Sequence, residues 1–449
     1  MTETGARYRA LTASTLRGEP EWQRLDPDVR EAVEVVSKVL PFRVNRYVLG
    51  LIDFDRAPDD PIFQLTFPQR GMLAADDFRR MADLIRSGAS RAEVEAAART
   101  LRRSLNPHPS GQATDNVPRL DGRPLPGMQH KYRETLLFFP AAGQTCHAYC
   151  TFCFRWAQFV DGGEAPFRAS ETRDLLTYLS RHRDLTDLLV TGGDPLVMRT
   201  RVLRSYLEDV LDPAYGHVGT IRLGTKSVAY WPQRFTTDPD ADDLLRFFEE
   251  IVAAGRKLAI MGHYSHPREL ATPEAQAALR RIRSTGATVY MQSPLIRRVN
   301  DSPSTWTDLW RLGARLGAVP YYFFVERDTG PRHYFEVPLV RAWRIFREAY
   351  QQVSGLGRTV RGPVMSAWPG KVLVDGVAEV AGERVFALQM LQGRQSDWVR
   401  RPFYARFDPR AVWLDDLRPA FGERSFFFES DAVFEADAEA DALLTGRLL

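Results

Sequence analysis

Residues 134–155 run ETLLFFPAAGQTCHAYCTFCFR: a short apolar stretch of β-forming length, a Pro-Ala-Ala-Gly turn, then Cys146, Cys150 and Cys153. These are the only three cysteines in a chain of 449 residues, so a disulfide framework is excluded and their clustering calls for a chemical reason. Three thiolates on one loop, spaced Cys-x3-Cys-x2-Cys, can ligate three irons of a 4Fe–4S cluster and leave the fourth iron open. Zinc would call for a fourth ligand or Cys-x2-Cys pairs, and His147 lies too close in sequence to be a natural one.

Downstream, strand candidates recur at DLLVTGG (187–193), GTIRLGT (219–225), KLAIMGH (257–263), ATVYMQS (287–293) and VPYYFFV (319–325). Helix-like stretches such as ETRDLLTYLSRH, DADDLLRFFEEIVAAG and TPEAQAALRRIRSTG separate them. Counting 134–139, six strand–helix units predict an α/β fold with a parallel sheet, a partial (β/α)6 barrel spanning residues 126–345. Such folds gather their chemistry at the C-terminal ends of the strands. The cysteine loop and the turn Thr191-Gly192-Gly193-Asp194-Pro195 both lie there.

Residues 1–125 read as a helical N-terminal region. Apolar residues recur at helical spacing in DPDVREAVEVVSKVL (26–40) and in a longer patch over 74–105. A Pro/Gly/Ser/Asn-rich connection follows at 106–128. After about 345 the alternation fades into a C-terminal extension (346–449) with aromatic segments and an acidic tail, EADAEADALL (435–444), expected to be solvated.

Hydrophobic residues make up 44% and charged residues 26%, ordinary for a globular protein, and no apolar run is long enough for a membrane helix. MTETGARYRALTASTLRGEPEW (1–22) carries no apolar leader, so a cytoplasmic protein is expected. With 60 basic and 57 acidic residues, the charge balance gives no reason to expect a nucleic-acid or membrane partner. Only Lys38, Lys131, Lys226, Lys257 and Lys371 are lysines among those 60, which makes each worth weighing.

The cysteine spacing after a first strand, with a glycine turn closing the second, resembles the radical S-adenosylmethionine superfamily. The resemblance narrows to the lysine 2,3-aminomutase family. LPGMQHKYRETLLFF (125–139), IRLGTKSVAYWPQRFT (221–236), GHYSHPREL (262–270), MQSPLIRRVND (291–301) and PYYFFVERDTGPRHYFEVPL (320–339) look like family blocks in order, as does VNRYVLGLIDFDRAPDDP (44–61).

That resemblance implies a 4Fe–4S cluster on Cys146, Cys150 and Cys153. It implies S-adenosylmethionine seated by Gly192, Gly193 and Asp194, with His263 and Gln292 as further contacts. It also implies pyridoxal phosphate in imine linkage to Lys371, with Lys131 and Tyr132 toward the phosphate. Lys131 replaces a family arginine, and Thr135 stands where another cation is expected, so Arg133 and backbone amides are further candidates. A lysine after Pro369-Gly370 in an apolar setting has a physical route to a lowered pKa and Schiff-base chemistry.

Arg155 matches the arginine that pairs with a substrate α-carboxylate, a contact suited to a bidentate guanidinium. Lysine-specific members hold the distal ammonium with two carboxylates. Here an ungapped reading puts Arg327 at one position, flanked by Glu326 and Asp328, and Met365-Ser366 at the other. A substrate with an acidic or neutral polar side chain is therefore expected. The resemblance implies a 2,3-aminomutase that moves an α-amino group to the β-carbon, a small-molecule amino acid substrate, a flavodoxin- or ferredoxin-type electron donor and a homo-oligomer. The C-terminal zinc cysteines of some members have no counterpart, so no zinc is expected. A dehydration, epimerisation or oxidation on the same scaffold is the rival enzyme reading, and a non-catalytic iron–sulfur protein is the rival outside enzymes.

Overall fold

A computed structural model describes residues 8–160, 168–169 and 172–429. The acidic tail at 435–444 lies outside the described residues. The fold is mixed α/β, built on one sheet of eleven strands. In chain order these are β1 (Met128–Tyr132), β2 (Thr135–Phe138), β3 (Asp187–Val190), β4 (Thr220–Thr225), β5 (Lys257–His263) and β6 (Thr288–Leu295). They continue with β7 (Val319–Val325), β8 (Arg361–Ser366), β9 (Gly370–Val380), β10 (Glu383–Gly393) and β11 (Pro402–Arg406). Their order across the sheet follows the sequence from β1 to β11. Strands β2 to β8 pair in parallel; β1 and β9 to β11 extend the two ends antiparallel.

Helices Arg173–Arg181, Thr200–Leu207, Ala241–Ala253, Pro273–Ser284, Pro303–Arg315 and Leu339–Gln351 lie in the successive crossovers. Burial alternates along β4, so Ile221, Leu223 and Thr225 pack away from solvent while Arg222 and Gly224 take the other face. The six strand candidates of the sequence are all present. The alternation does not end near 345, however: β8 is a seventh parallel strand. Its Gly362-Pro363 step and the Trp368-Pro369-Gly370 turn after it disguise it as loop. The patch at 74–105 forms two helices, Ala75–Arg86 and Arg91–Ser104. Gly88 at φ 73° ends the first, and Ser90 and Glu93 form a capping box on the second.

The N-terminal segments clamp the cysteine loop. Tyr8 Oη and Asn45 Nδ2 donate to the His147 carbonyl at 2.9 and 3.1 Å, and Arg43 reaches Thr145 Oγ1 and the Cys146 carbonyl. The Tyr149 and Thr151 amides donate to the carbonyls of Arg43 and Leu65. The other end of the sheet has its own apolar cluster, in which Leu339, Trp398, Phe403, Trp413 and Phe426 pack on β9 and β10. Among the described residues no helix is long and apolar enough to cross a membrane.

Asn45 is fully buried and makes three bonds: its oxygen caps the helix Arg46–Leu51 at Val48 N, and its amide serves His147 O and Tyr230 O. Asn45→Ala removes the cap and strands two buried carbonyls, at a cost of about 3 kcal/mol. Urea unfolding of the purified variant should show a lower midpoint at unchanged slope; a midpoint equal to wild type contradicts the clamp.

Candidate active site

One cavity of about 340 Å³ opens along the inner face of the parallel strands. Its wall includes Cys146, Cys150, Cys153, Gly192, Gly193 and Asp194, then His263, Gln292, Arg155 and Arg327, and at the far end Lys131, Tyr132 and Lys371. These residues, singled out above for cluster, cofactor and substrate, thus reach one space although Lys131 and Lys371 are far apart in sequence.

At the cysteine end the loop lies directly on the glycine turn. The Asp194 amide donates to Thr145 O at 2.7 Å, and a Cβ on Gly193 would sit 2.3 Å from that same oxygen. Only glycine permits this approach. The Asp194 carboxylate accepts from Leu196 N, Thr225 Oγ1, Lys226 N and Ser227 Oγ at 2.8–3.0 Å. Its acceptor capacity is filled by this brace, so the groups of the turn left to face a ligand are the main chain of Gly192 and Gly193. Burial pushes all three thiols up, Cys150 to about 11 and Cys153 to about 12. Thiols so placed become thiolates when a cationic group sits among them, as iron does.

Among the described residues no three His, Cys, Asp or Glu side chains converge on a single ion. A 4Fe–4S cluster makes no such demand, because each thiolate binds a separate iron. His263 is held neutral by burial, stacks on Phe152, and leaves a buried Nδ1 without a partner. Lys226 lies beside it, ion-paired to buried Glu269 at 2.7 Å.

At the opposite end Lys371 Nζ donates to Gln392 Oε1 at 2.6 Å and lies 5.3 and 4.9 Å from the ring centres of Tyr132 and Tyr322. Burial, then Arg222 and Arg361, pull its pKa down to about 7. Lys131 donates to Ala367 O and is pulled well down by burial and by Arg394, Arg327 and Lys371. Cations crowd this end; Asp187 is paired to Arg222, and Asp115 lies near Arg394. An anionic group such as a phosphate relieves that crowding.

Arg155 and Arg327 share one aromatic platform, their guanidiniums 5.1 and 5.2 Å from the Phe154 ring centre. Arg155 Nη1 is buried without a hydrogen-bond partner, and Arg327 Nε has only a loose ion pair with Asp328 Oδ1 at 3.8 Å. Burial lowers both pKa values, the mark of a buried cation short of counter-charge.

No family model matches the chain. A protein named "Putative L-lysine 2,3-aminomutase" from Aquifex aeolicus is 28% identical over 403 residues, covering 89% of this chain and 94% of the relative. One of the same name from Treponema pallidum is 31% identical over 239 residues, 51% and 61% of the two chains. The "L-lysine 2,3-aminomutase" of Methanococcus maripaludis is 24% identical over 310 residues, 68% and 60%. Among solved structures, a radical SAM methyltransferase from Sphaerobacter thermophilus aligns at 17% identity and a TM-score of 0.37, covering 65% of this chain and 94% of that one. Over most of its length the chain is thus similar to proteins named as lysine 2,3-aminomutases.

Within this site, three placements depart from the sequence reading. Arg133 turns outward to an exposed ion pair with Asp184 and takes no part in the cavity. Glu326 and Arg327 both line the cavity, whereas the Asp328 carbonyl and carboxylate are engaged by Asn106. Burial, opposed by Arg327, holds Glu326 well above the usual carboxyl range, which weakens it as an anionic partner. The stretch 106–128 is no detached connection: Pro109, Ser110, Gln112 and Asn116 wall the cavity. Sequence reading missed Arg222, Lys226, Tyr230 and Gln392. The first three lie within the block 221–236, but only Arg222 sits on β4, where strand parity was the available signal.

The lowered Lys371 pKa makes a pH prediction. Its amine is neutral, and nucleophilic, above about pH 7, whereas an ordinary lysine needs a pH near 10.4. Reductive methylation of the apoprotein, followed by peptide mapping, should show labelling of Lys371 rising through pH 7 and then flattening. The unfolded chain binds a proton there that the folded chain lacks between about 7 and 10.5, so this group's effect on stability improves as pH rises through that window. Lys371→Met should flatten that part of the stability profile. Labelling that still climbs at pH 10 contradicts the buried environment.

Proposed function

We propose that the protein is a radical S-adenosylmethionine, pyridoxal-phosphate-dependent aminomutase that moves the α-amino group of an amino acid to its β-carbon. The observation that carries the reading is the single cavity with three thiols at one end and a deprotonatable lysine at the other. The names of relatives similar over most of the chain support it. Residues 126–345 would form the partial (β/α) barrel that carries the cluster and S-adenosylmethionine. Residues 346–449 would bring the cofactor lysine, and residues 1–125 would hold the cysteine loop.

When bound, the cluster with S-adenosylmethionine supplies a hydrogen-abstracting carbon radical, and pyridoxal phosphate supplies an electron sink for the migrating nitrogen. Cys146, Cys150 and Cys153 would hold the cluster. The main chain of Gly192 and Gly193, with His263 and Gln292, would seat S-adenosylmethionine, and Asp194 would fix the shape of that turn. Lys371 offers an amine neutral at working pH, and Lys131 and Tyr132 face the phosphate end beside Arg222. Arg155 would take the α-carboxylate through its unpartnered nitrogen. At the distal end, Arg327 lines the cavity beside a Glu326 whose ionisation burial disfavours, a setting that favours a carboxylate or neutral polar side chain over an ammonium. The deep walls exclude water and oxygen from the radical. A flavodoxin- or ferredoxin-type donor, a cytoplasmic setting and a homo-oligomer complete the proposal.

A hydrogen abstraction without amino migration is the second reading. Thr135 favours it: where a phosphate-binding cation was expected, its hydroxyl donates to Asp187 instead.

The deciding experiment is borohydride reduction of the anaerobically reconstituted protein with pyridoxal phosphate, followed by peptide mapping. A reduced adduct on Lys371 is expected; an intact cluster with no adduct removes the aminomutase and leaves the second reading. In a substrate screen, glutamate and neutral polar amino acids should turn over faster than lysine, and the reverse order overturns the assignment of Arg327. Arg155→Gln should lower kcat/KM about a hundredfold or more, the usual loss when one partner of a buried charge pair is removed.

A further inference from the structure

Tyr230 ends the short helix Ser227–Tyr230 that follows β4, and its side chain is 1% exposed. Its hydroxyl lies 3.4 Å from Cys150 Sγ and has no other hydrogen-bond partner among the described residues. The ring is held from two sides. Asn45 Nδ2 fixes the Tyr230 carbonyl at 3.0 Å with the same amide that fixes the His147 carbonyl of the cysteine loop. The Lys226 ammonium, anchored on Glu269, sits 4.8 Å from the ring centre. One buried asparagine therefore sets the distance between this hydroxyl and the loop.

As a cluster ligand, the Cys150 sulfur carries no proton and can only accept, so the hydroxyl must donate. A hydrogen bond to a ligating sulfur stabilises the reduced, more negative cluster more than the oxidised one and raises its reduction potential. We propose that Tyr230 is a positioning residue for the cluster: its hydroxyl donates to the Cys150 thiolate and makes the 4Fe–4S centre easier to reduce. This rests on the cluster reading given above. The other two cysteines have no side-chain hydroxyl donor of this kind among the described residues, so the effect falls on the iron bound by Cys150.

The test is an anaerobic redox titration of the reconstituted full-length protein, followed by low-temperature EPR of the reduced cluster. Wild type is compared with Tyr230→Phe and with protein carrying 3-fluorotyrosine at position 230, whose hydroxyl is the stronger donor. Iron and sulfide content should match in all three. The midpoint potential should fall in Tyr230→Phe and rise with fluorotyrosine. An exchangeable-proton coupling seen by electron–nuclear double resonance in wild type should be missing from Tyr230→Phe. If Tyr230→Phe does not fold, the fluorotyrosine protein decides by the direction of its shift. Potentials unmoved by both changes overturn the proposal and leave the cluster reading standing. A wild-type protein that takes up no iron and shows no cluster signal overturns both.

Discussion

A single buried carboxylate organises the cysteine end of the cavity. Asp194 sits where three segments meet: its amide reaches back to the cysteine loop at Thr145, and its oxygens draw in donors from its own turn and from Thr225–Ser227 after β4. Among the described residues no cation faces it in an ion pair, so hydrogen bonds meet the cost of burying the charge, and burial still pushes its pKa up. Losing this residue would cost more than one contact. The ends of β3 and β4 would lose their common partner, and the loop that presents the thiols would lose the floor that Gly193 provides.

The buried cations divide into two sets by the same criterion. Lys226 pairs with Glu269, Arg222 with Asp187 and Arg234 with Asp240, and the Arg222–Asp187 pair joins neighbouring strands. Among the described residues Arg155 has a buried nitrogen without a hydrogen bond, Arg327 reaches only a 3.8 Å ion pair with Asp328, and Lys131 and Lys371 answer to a carbonyl or an amide oxygen. A buried charge left unpaired costs several kcal/mol. Several of these under-paired cations line the cavity. An anionic ligand bound there would remove the cost, which ties ligand binding to the stability of this part of the chain.

Much of this was legible in the sequence, and the limits have physical causes. Six parallel strands could be read because each is a short apolar run bounded by turn residues. β8 could not, because Gly362-Pro363 breaks the run. The cysteine spacing, the glycine turn and Lys371 carry local signals of their own. Arg133 was misplaced because it lies in the turn between β1 and β2, where strand parity no longer dictates direction. Asp194 looked like a ligand because its donors, at 225–227, belong to a different strand and cannot be seen from the turn. The cationic wall around Lys371 was hidden for the same reason: Arg222, Arg361 and Arg394 come together only through the sheet.

The two ends of the cavity are anchored independently. The cysteine end hangs on the N-terminal clamp through Arg43 and Asn45 and on the turns after β3 and β4. The lysine end stands on the β9–β10 hairpin, whose core of Trp398, Phe403 and Trp413 belongs to a separate apolar cluster. The parallel strands between them fix the separation, because strand pairing is rigid and its register is set residue by residue. A change at Asn45 or Tyr230 therefore has no direct path to the environment of Lys371, and a change at Gln392 has none to the thiols. Amine reactivity at one end and cluster potential at the other report on separate halves of one site, and only a substrate spanning the cavity couples them.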